Sequence, residues 1–340
     1  MSDDRPLVVF RPQPARRERI FSAAAWDRLR QDYQLVDLSE DESEEALAEA
    51  LPRAFAVIGQ PTLDAAAIAQ AGQLRCLMNV EGNFFPNVDY PAAQDRGIHI
   101  LGCGPAYAPA VAEYSVGLAL DLCRGISRAD RLFRAGQEAY AAEGSLDSVL
   151  LARADVGFIG YGLLGRATHR LLESFRPTIR VFDPWVPDSV LDEAGLLPVG
   201  LDEVLASSRV VFVFATVTAE NERMLGAEQL ALLPDGARLV VVSRAAVLDL
   251  DALVAEVASG RILAAIDVWP EEPMPADAPV RRLDGLVLSA HRAGGIPQAL
   301  LSIGDMVLDD LDQIRRGLPP MRMQVAAREL VGRYRNRPVT

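Results

Sequence analysis

The chain has 340 residues, half of them hydrophobic, enough to bury large cores and to favour two domains. A net charge of −13 argues against nucleic acid or an anionic membrane as the main partner, and no apolar run reaches the roughly 20 residues of a membrane helix. All 34 basic residues are arginine, which excludes Schiff-base chemistry, pyridoxal phosphate attachment and a P-loop lysine, and leaves His, Asp, Glu, Tyr or Cys for acid–base work.

The acidic start, Met1 to Arg5, runs straight into a strand-like Leu7–Phe10, so no signal peptide is visible and a cytoplasmic protein is expected. Further strand-like runs follow at Leu35–Leu38, Phe55–Gly59, Arg75–Val80 and Ile98–Leu101. Helical patterns lie between them at Arg16–Arg30, Ser43–Leu51 (with Ser43 as N-cap), Leu63–Ala71 and Tyr90–Asp95. Such alternation implies a parallel sheet covered by helices on both faces. The acidic run Glu40–Glu45 reads as a solvated helix start. Cys76, Cys103 and Cys123 lack metal-ligand spacing and read as buried free thiols, with no metal expected.

Ala110–Leu122 is a long apolar helical pattern just after Gly102-Cys-Gly-Pro105, a suitable place for the chain to cross between domains. Ser127–Ala142 looks helical and amphipathic, suited to a subunit contact in a homodimer. A second alternating series then begins. Its strands are Val156–Ile159, Ile179–Phe182, Val210–Phe214, Arg238–Val242, Leu263–Ile266 and Leu286–Leu288; a long helix, Pro297–Arg316, and a basic, frayed tail follow.

The first of these strands turns through Gly160-Tyr-Gly162-Leu163-Leu164-Gly165 into a helix reaching Leu172. In G-x-G-x-x-G the first glycine makes the tight turn, the second lets backbone approach a pyrophosphate, and the third lets helix and strand pack closely. Unpaired N–H groups at the helix start face the phosphates. The next strand ends in Asp183, whose carboxylate suits the adenosine ribose diol. The predicted cofactor is therefore NAD, with Ala215, Thr216 and Asp267 as further contacts at later strand ends. A doubly wound sheet begun so late implies that the nucleotide domain, 105–292, is inserted into a domain built from 1–104 plus 293–340.

Only three histidines exist. His169 lies within the helix after the glycine loop and His99 within a strand; packing is the simpler reading for both. His291 follows Leu286–Leu288, at a strand's carboxyl end, where ligand sites form and a neutral-pH acid/base is well placed. Arg244 also sits just past a strand, as a surface residue or facing an anion. Glu272 lies in a Pro-rich loop after another strand, and by itself a structural role is the simpler reading.

Taken in order, the glycine loop, Thr216–Gly226, Val242-Ser-Arg244, Asp267-Val268 with Glu272-Pro273, and Leu288-Ser-Ala-His291 resemble the D-isomer-specific 2-hydroxyacid dehydrogenase family from about Arg75 onward. The resemblance implies a Rossmann-type doubly wound domain within a flavodoxin-like α/β substrate domain. It also implies a small 2-keto or 2-hydroxy acid substrate and catalysis by Arg244, Glu272 and His291. Arg244 would hold the substrate carboxylate and polarise the keto oxygen. His291 would exchange its proton, and Glu272 would orient the imidazole and favour its charged form. Backbone amides of Val80, Glu81, Gly82 and Asn83 would hold the rest of the carboxylate.

Three positions depart from the family. The loop Val80-Glu-Gly-Asn-Phe-Phe-Pro86 is longer and bulkier than its glycine-rich counterpart; Ala245 replaces a glycine, and Ala290 a proline. If Phe84 and Phe85 line the site, they favour an extended, polyhydroxylated 2-keto acid; if they pack, they do not. Two rival readings stand beside the dehydrogenase: an NAD(H)-sensing, corepressor-like regulator on the same scaffold, and an enzyme for a non-carboxylate anion such as phosphite.

Overall fold

A computed structural model describes residues 4–40 and 43–335; Met1–Asp3, with Asp41 and Glu42 of the acidic run, lie outside the described residues. The chain divides into two compact units, Met1–Ala108 with Gly295–Val339, and Pro109–Gly294. The division falls inside the helix Gly104–Arg124, about one turn beyond position 104.

In chain order the strands are β1 Leu7–Arg11, β2 Gln34–Asp37, β3 Ala54–Gly59, β4 Cys76–Asn79, β5 His99–Gly102, β6 Asp155–Ile159, β7 Thr178–Phe182, β8 Leu197–Pro198, β9 Val210–Val213, β10 Arg238–Val241, β11 Leu263–Ile266, β12 Leu286–Leu288 and β13 Gln324–Val325. The first unit carries a sheet ordered β13-β5-β4-β3-β1-β2, parallel except for β13. Its β2-β1-β3-β4-β5 core has the flavodoxin-like order. The second unit carries β12-β11-β10-β9-β6-β7-β8, the Rossmann order with one added strand. The order reverses between β6 and β9, so the ends of those two strands flank the switch point where open α/β sheets bind ligands.

Strands covered on both faces must be apolar at every position, and β9 and β10 are buried throughout. Arg238 is the exception inside β10. Only 3% exposed, it donates from Nε to the Leu122 carbonyl (3.1 Å), from Nη2 to that of Asp147 (2.6 Å), and from Nη1 to that of Gly236. In the first unit the helix Pro297–Arg315 buries Ile303, Val307 and Leu311 in one cluster with Phe10, Leu29 and Tyr33.

Three elements differ from the sequence expectation. The single helix at Arg16–Arg30 is two, Arg17–Ile20 and Ala23–Asp32, because Phe21 turns extended to bury its ring and Ser22 starts a new helix, accepting the Ala25 N–H at 3.1 Å. The amphipathic helix ends at Arg134, well short of Ala142. The tail through residue 335 is not frayed. Asp310, fully buried, accepts the N–H groups of Met321, Arg322 and Met323, and β13 then pairs with β5.

Candidate active site

At the end of β6, Gly160 has φ +97°, and a Cβ there would stand 2.9 Å from the Ala215 nitrogen at the end of β9. Only glycine allows the two strand ends to approach so closely. A Cβ on Gly165 would lie 2.8 Å from the Gly160 oxygen, whereas one on Gly162 would meet nothing. The loop is thus packed on its protein side and open at its middle glycine. The helix Leu163–Leu172 starts there without a side-chain cap, leaving the amides of Leu163, Leu164 and Gly165 suited to an anion. Asp183 Oδ2 accepts the Tyr161 N–H at 2.7 Å, and Oδ1 those of Trp185 (2.9 Å) and Val186 (3.2 Å). The carboxylate is held rigidly beside the loop, with lone pairs remaining for a diol. Next to Gly160, the Ala215–Thr216 segment is folded by Asn221, which donates to the Thr216 carbonyl and accepts the Thr218 N–H, each at 2.7 Å. These groups fit NAD, with pyrophosphate at the helix start and ribose at Asp183.

The successive strands β10, β11 and β12 end in Arg244, the Asp267–Glu272 loop and His291. His291 Nδ1 lies 2.7 Å from Glu272 Oε2, both side chains being 26% exposed. An ionised carboxylate can only accept, so Nδ1 carries the proton and Nε2 is left for exchange with a ligand. Glu272 Oε1 accepts the Trp269 N–H at 2.8 Å, which fixes the carboxylate. His291 itself has φ +48° and donates its N–H to the Asp267 carbonyl at 2.7 Å. Arg244 is half-buried and donates from Nη1 to the Ser243 carbonyl at 2.6 Å. Asp267, expected among the cofactor contacts, is fully buried, its carboxylate accepting from Ser289 Oγ and the N–H groups of Arg292 and Ala293.

In the first unit the Val80–Pro86 loop follows β4. Phe84 and Phe85 are 5% and 4% exposed, so they pack and provide no aromatic lining; Phe84 fills the space over Gly102 and stacks with Tyr334 at 6.5 Å. Asn79 braces the loop, accepting the Glu81 N–H at 2.7 Å and donating to the Asn83 carbonyl at 2.8 Å. The Val80 N–H is taken by Gln60 Oε1 at 3.3 Å. Of the four amides expected to bind a carboxylate, those of Val80 and Glu81 are therefore engaged, which leaves Gly82 and Asn83. The Tyr107 ring packs on Gly82, and burial pushes the Tyr107 hydroxyl and Cys103 thiol upward, with Cys103 and then Glu81 adding to it at Tyr107 and Glu81 adding to it at Cys103.

His169 lies outside these sites, its Nδ1 2.9 Å from Tyr161 Oη. The sequence reading missed Tyr114, whose hydroxyl meets Ser289 Oγ at 2.6 Å; a contact between positions 175 apart leaves no local signal. Among the described residues no helix is long and apolar enough to cross a membrane, and no group of three or more His, Cys, Asp or Glu could hold a metal ion.

Residues 116–293 match the family model of the D-isomer specific 2-hydroxyacid dehydrogenase NAD binding domain. The chain is 30% identical over 246 residues to a glyoxylate reductase of Thermofilum pendens, covering 69% of this chain and 71% of that one. It is 28% identical over 301 residues to a D-3-phosphoglycerate dehydrogenase of Archaeoglobus fulgidus, covering 88% of this chain but only 56% of that longer protein. A crystal structure of a phosphoglycerate oxidoreductase from Rhizobium etli superposes with a TM-score of 0.86 at 44% identity, covering 95% of this chain and 99% of that one.

Proposed function

The chain belongs to the D-isomer specific 2-hydroxyacid dehydrogenase family, and from that premise we propose that it interconverts a 2-keto acid and its D-2-hydroxy acid with NAD(H). The observation that carries this reading is the 2.7 Å contact between His291 Nδ1 and Glu272 Oε2, which leaves Nε2 as a directed proton donor. NADH, when bound, supplies the hydride to the keto carbon. Arg244, a permanent cation, holds the substrate carboxylate and attracts the charge growing on the keto oxygen. His291 Nε2 delivers a proton to that oxygen, and in the oxidative direction removes it. Glu272 keeps the imidazole in the required tautomer and orientation. The Gly82 and Asn83 amides are the carboxylate-binding groups of the Val80–Asn83 loop.

The substrate class we infer is a short, hydroxylated and unphosphorylated 2-keto acid. Glu81 stands on the loop that would meet an anion, and it opposes a second negative group while accepting hydrogen bonds from a hydroxyl. A homodimer is inferred from residues 126–150, where Ile126 (59%), Phe133 (61%), Tyr140 (70%), Leu146 (85%) and Leu150 (71%) are exposed together along one segment. Three buried, unpaired thiols suit the reducing cytoplasm.

NADH oxidation measured over glyoxylate, pyruvate, hydroxypyruvate and phenylpyruvate tests the activity, with His291→Ala alongside. Turnover of at least one acid, lost in the variant, is expected; NADH binding without turnover of any 2-keto acid would refute the proposal.

A further inference from the structure

Behind the His291–Glu272 pair lies a second set of side chains that the Arg–Glu–His chemistry does not use. Tyr114, on the helix Gly104–Arg124, places its hydroxyl 2.6 Å from Ser289 Oγ. Ser289 spends its single proton on Asp267 Oδ1, so Tyr114 must donate to Ser289. Asp267 is completely buried and accepts the Arg292 and Ala293 N–H groups, each at 3.0 Å. Its carbonyl accepts the His291 N–H at 2.7 Å. From the other side, Trp269 Nε1 donates to the Ser289 carbonyl at 2.7 Å, and the Trp269 backbone N–H fixes Glu272.

His291 has reason to need this support. Its φ of +48° belongs to the left-handed region, which residues bearing a Cβ seldom enter unless their surroundings enforce it. The residue before it is Ala290, which does not restrict its own φ as a proline would. Local chain stiffness is therefore not supplied by the sequence at 290. The hydrogen-bonded groups around Asp267 act on the three residues, 291 to 293, whose conformation is at stake.

We propose that Tyr114 and Ser289, acting through Asp267, are positioning residues that hold the His291 backbone in its left-handed conformation and its imidazole against Glu272. This rests on the reading of His291 as the proton donor. Tyr114 orients the serine, the serine fixes the buried carboxylate, and the carboxylate gathers the amides after His291. The strut does what a stiff residue at 290 would otherwise do.

The test combines two readouts. With three histidines in the chain, ¹³C-labelled imidazole signals are few enough to assign using His99→Gln and His291→Ala. Kinetics with NADH and hydroxypyruvate are measured on the same samples, normalised to NADH-binding sites. Tyr114→Phe is expected to lower kcat about threefold and Ser289→Ala about tenfold, with KM for NADH unchanged and the His291 signal broadened or split. Adding Ala290→Pro to Ser289→Ala should sharpen that signal and recover most of kcat. An unaltered His291 signal in both single variants overturns the proposal. So does a rise in KM for NADH that accounts for the loss, since Asp267 would then be acting on the cofactor. Failure of the proton-donor reading would appear separately, as a His291→Ala enzyme with wild-type kcat, and would leave the imidazole signals as the measure of the strut.

Discussion

His291 is fixed through Nδ1, so the proton-donor role proposed for it can be removed without disturbing the cofactor cradle, which is built from other strands. His291→Ala is expected to lower kcat by about 10²–10⁴, the usual worth of a positioned acid/base, while the NADH dissociation constant, read by fluorescence titration, stays within about twofold. Asp183 is tied by three backbone amides, and the following Pro-Trp-Val-Pro offers no arginine for a 2′-phosphate. Its charge should then give NADH a kcat/KM on the order of 10² above that of NADPH, since juxtaposed like charges cost several kcal/mol; comparable values would count against Asp183 as the ribose acceptor. His169 makes a prediction about stability instead. Burial lowers its pKa below the ordinary value, and the neutral ring sits against Tyr161 Oη. The unfolded chain therefore binds this proton more readily, so the contribution of His169 is present above the unfolded pKa of about 6.5 and is lost as pH falls through that value toward the lower folded one. His169→Gln should flatten the fall of Tm between pH 7 and 5.

Among the elements, the Val80–Pro86 loop separates packing from recognition. Phe84 is inside the first unit's core, so Phe84→Ala should cost about 3–5 kcal/mol in denaturant unfolding, as large-to-small core changes do. It should leave the ranking of 2-keto acids unchanged. On the substrate class proposed above, Glu81 acts in recognition: hydroxypyruvate should exceed its 3-phosphorylated form in kcat/KM, and Glu81→Gln should narrow the difference. The sequence showed where this loop begins and ends, but adjacent aromatics do not reveal which way they face; that depended on the space above Gly102 and on Tyr334, far along the chain. Two-sided burial, by contrast, is written locally. Apolar runs marked Leu263–Ile266 and Leu286–Leu288 to the residue. The two-residue strands β8 and β13 are too short for any period and were invisible.

On the scale of the whole molecule, the exposed apolar side chains of residues 126–150 should hold two copies together. Light scattering is expected to give twice the 36.8 kDa chain mass, and Phe133→Asp with Leu146→Asp to reduce it to one. Apart from β8, β13 and the divided first helix, the order of elements was legible, because alternating strands and helices followed by a glycine loop admit few topologies. Of the candidate site, the glycine loop and Asp183 were readable from spacing alone. Glu272 and His291 became a pair only through resemblance, and Tyr114 and Asp310 not at all, since their partners arrive by tertiary folding. The return of the chain to its first sheet has a further consequence, in time. Helix Pro297–Arg315 and β13, which complete the core over Phe10 and Leu29 and extend the sheet beyond β5, follow the entire second unit in the sequence. At ordinary elongation rates the ribosome needs roughly 10–40 s to make the intervening residues. The earlier-synthesised half must wait, its apolar faces uncovered, while the later-begun unit closes first. Chains ended at residue 294 and released should therefore resist protease across 109–294 and be cut freely before 108, and the interval is one in which a chaperone has something to hold.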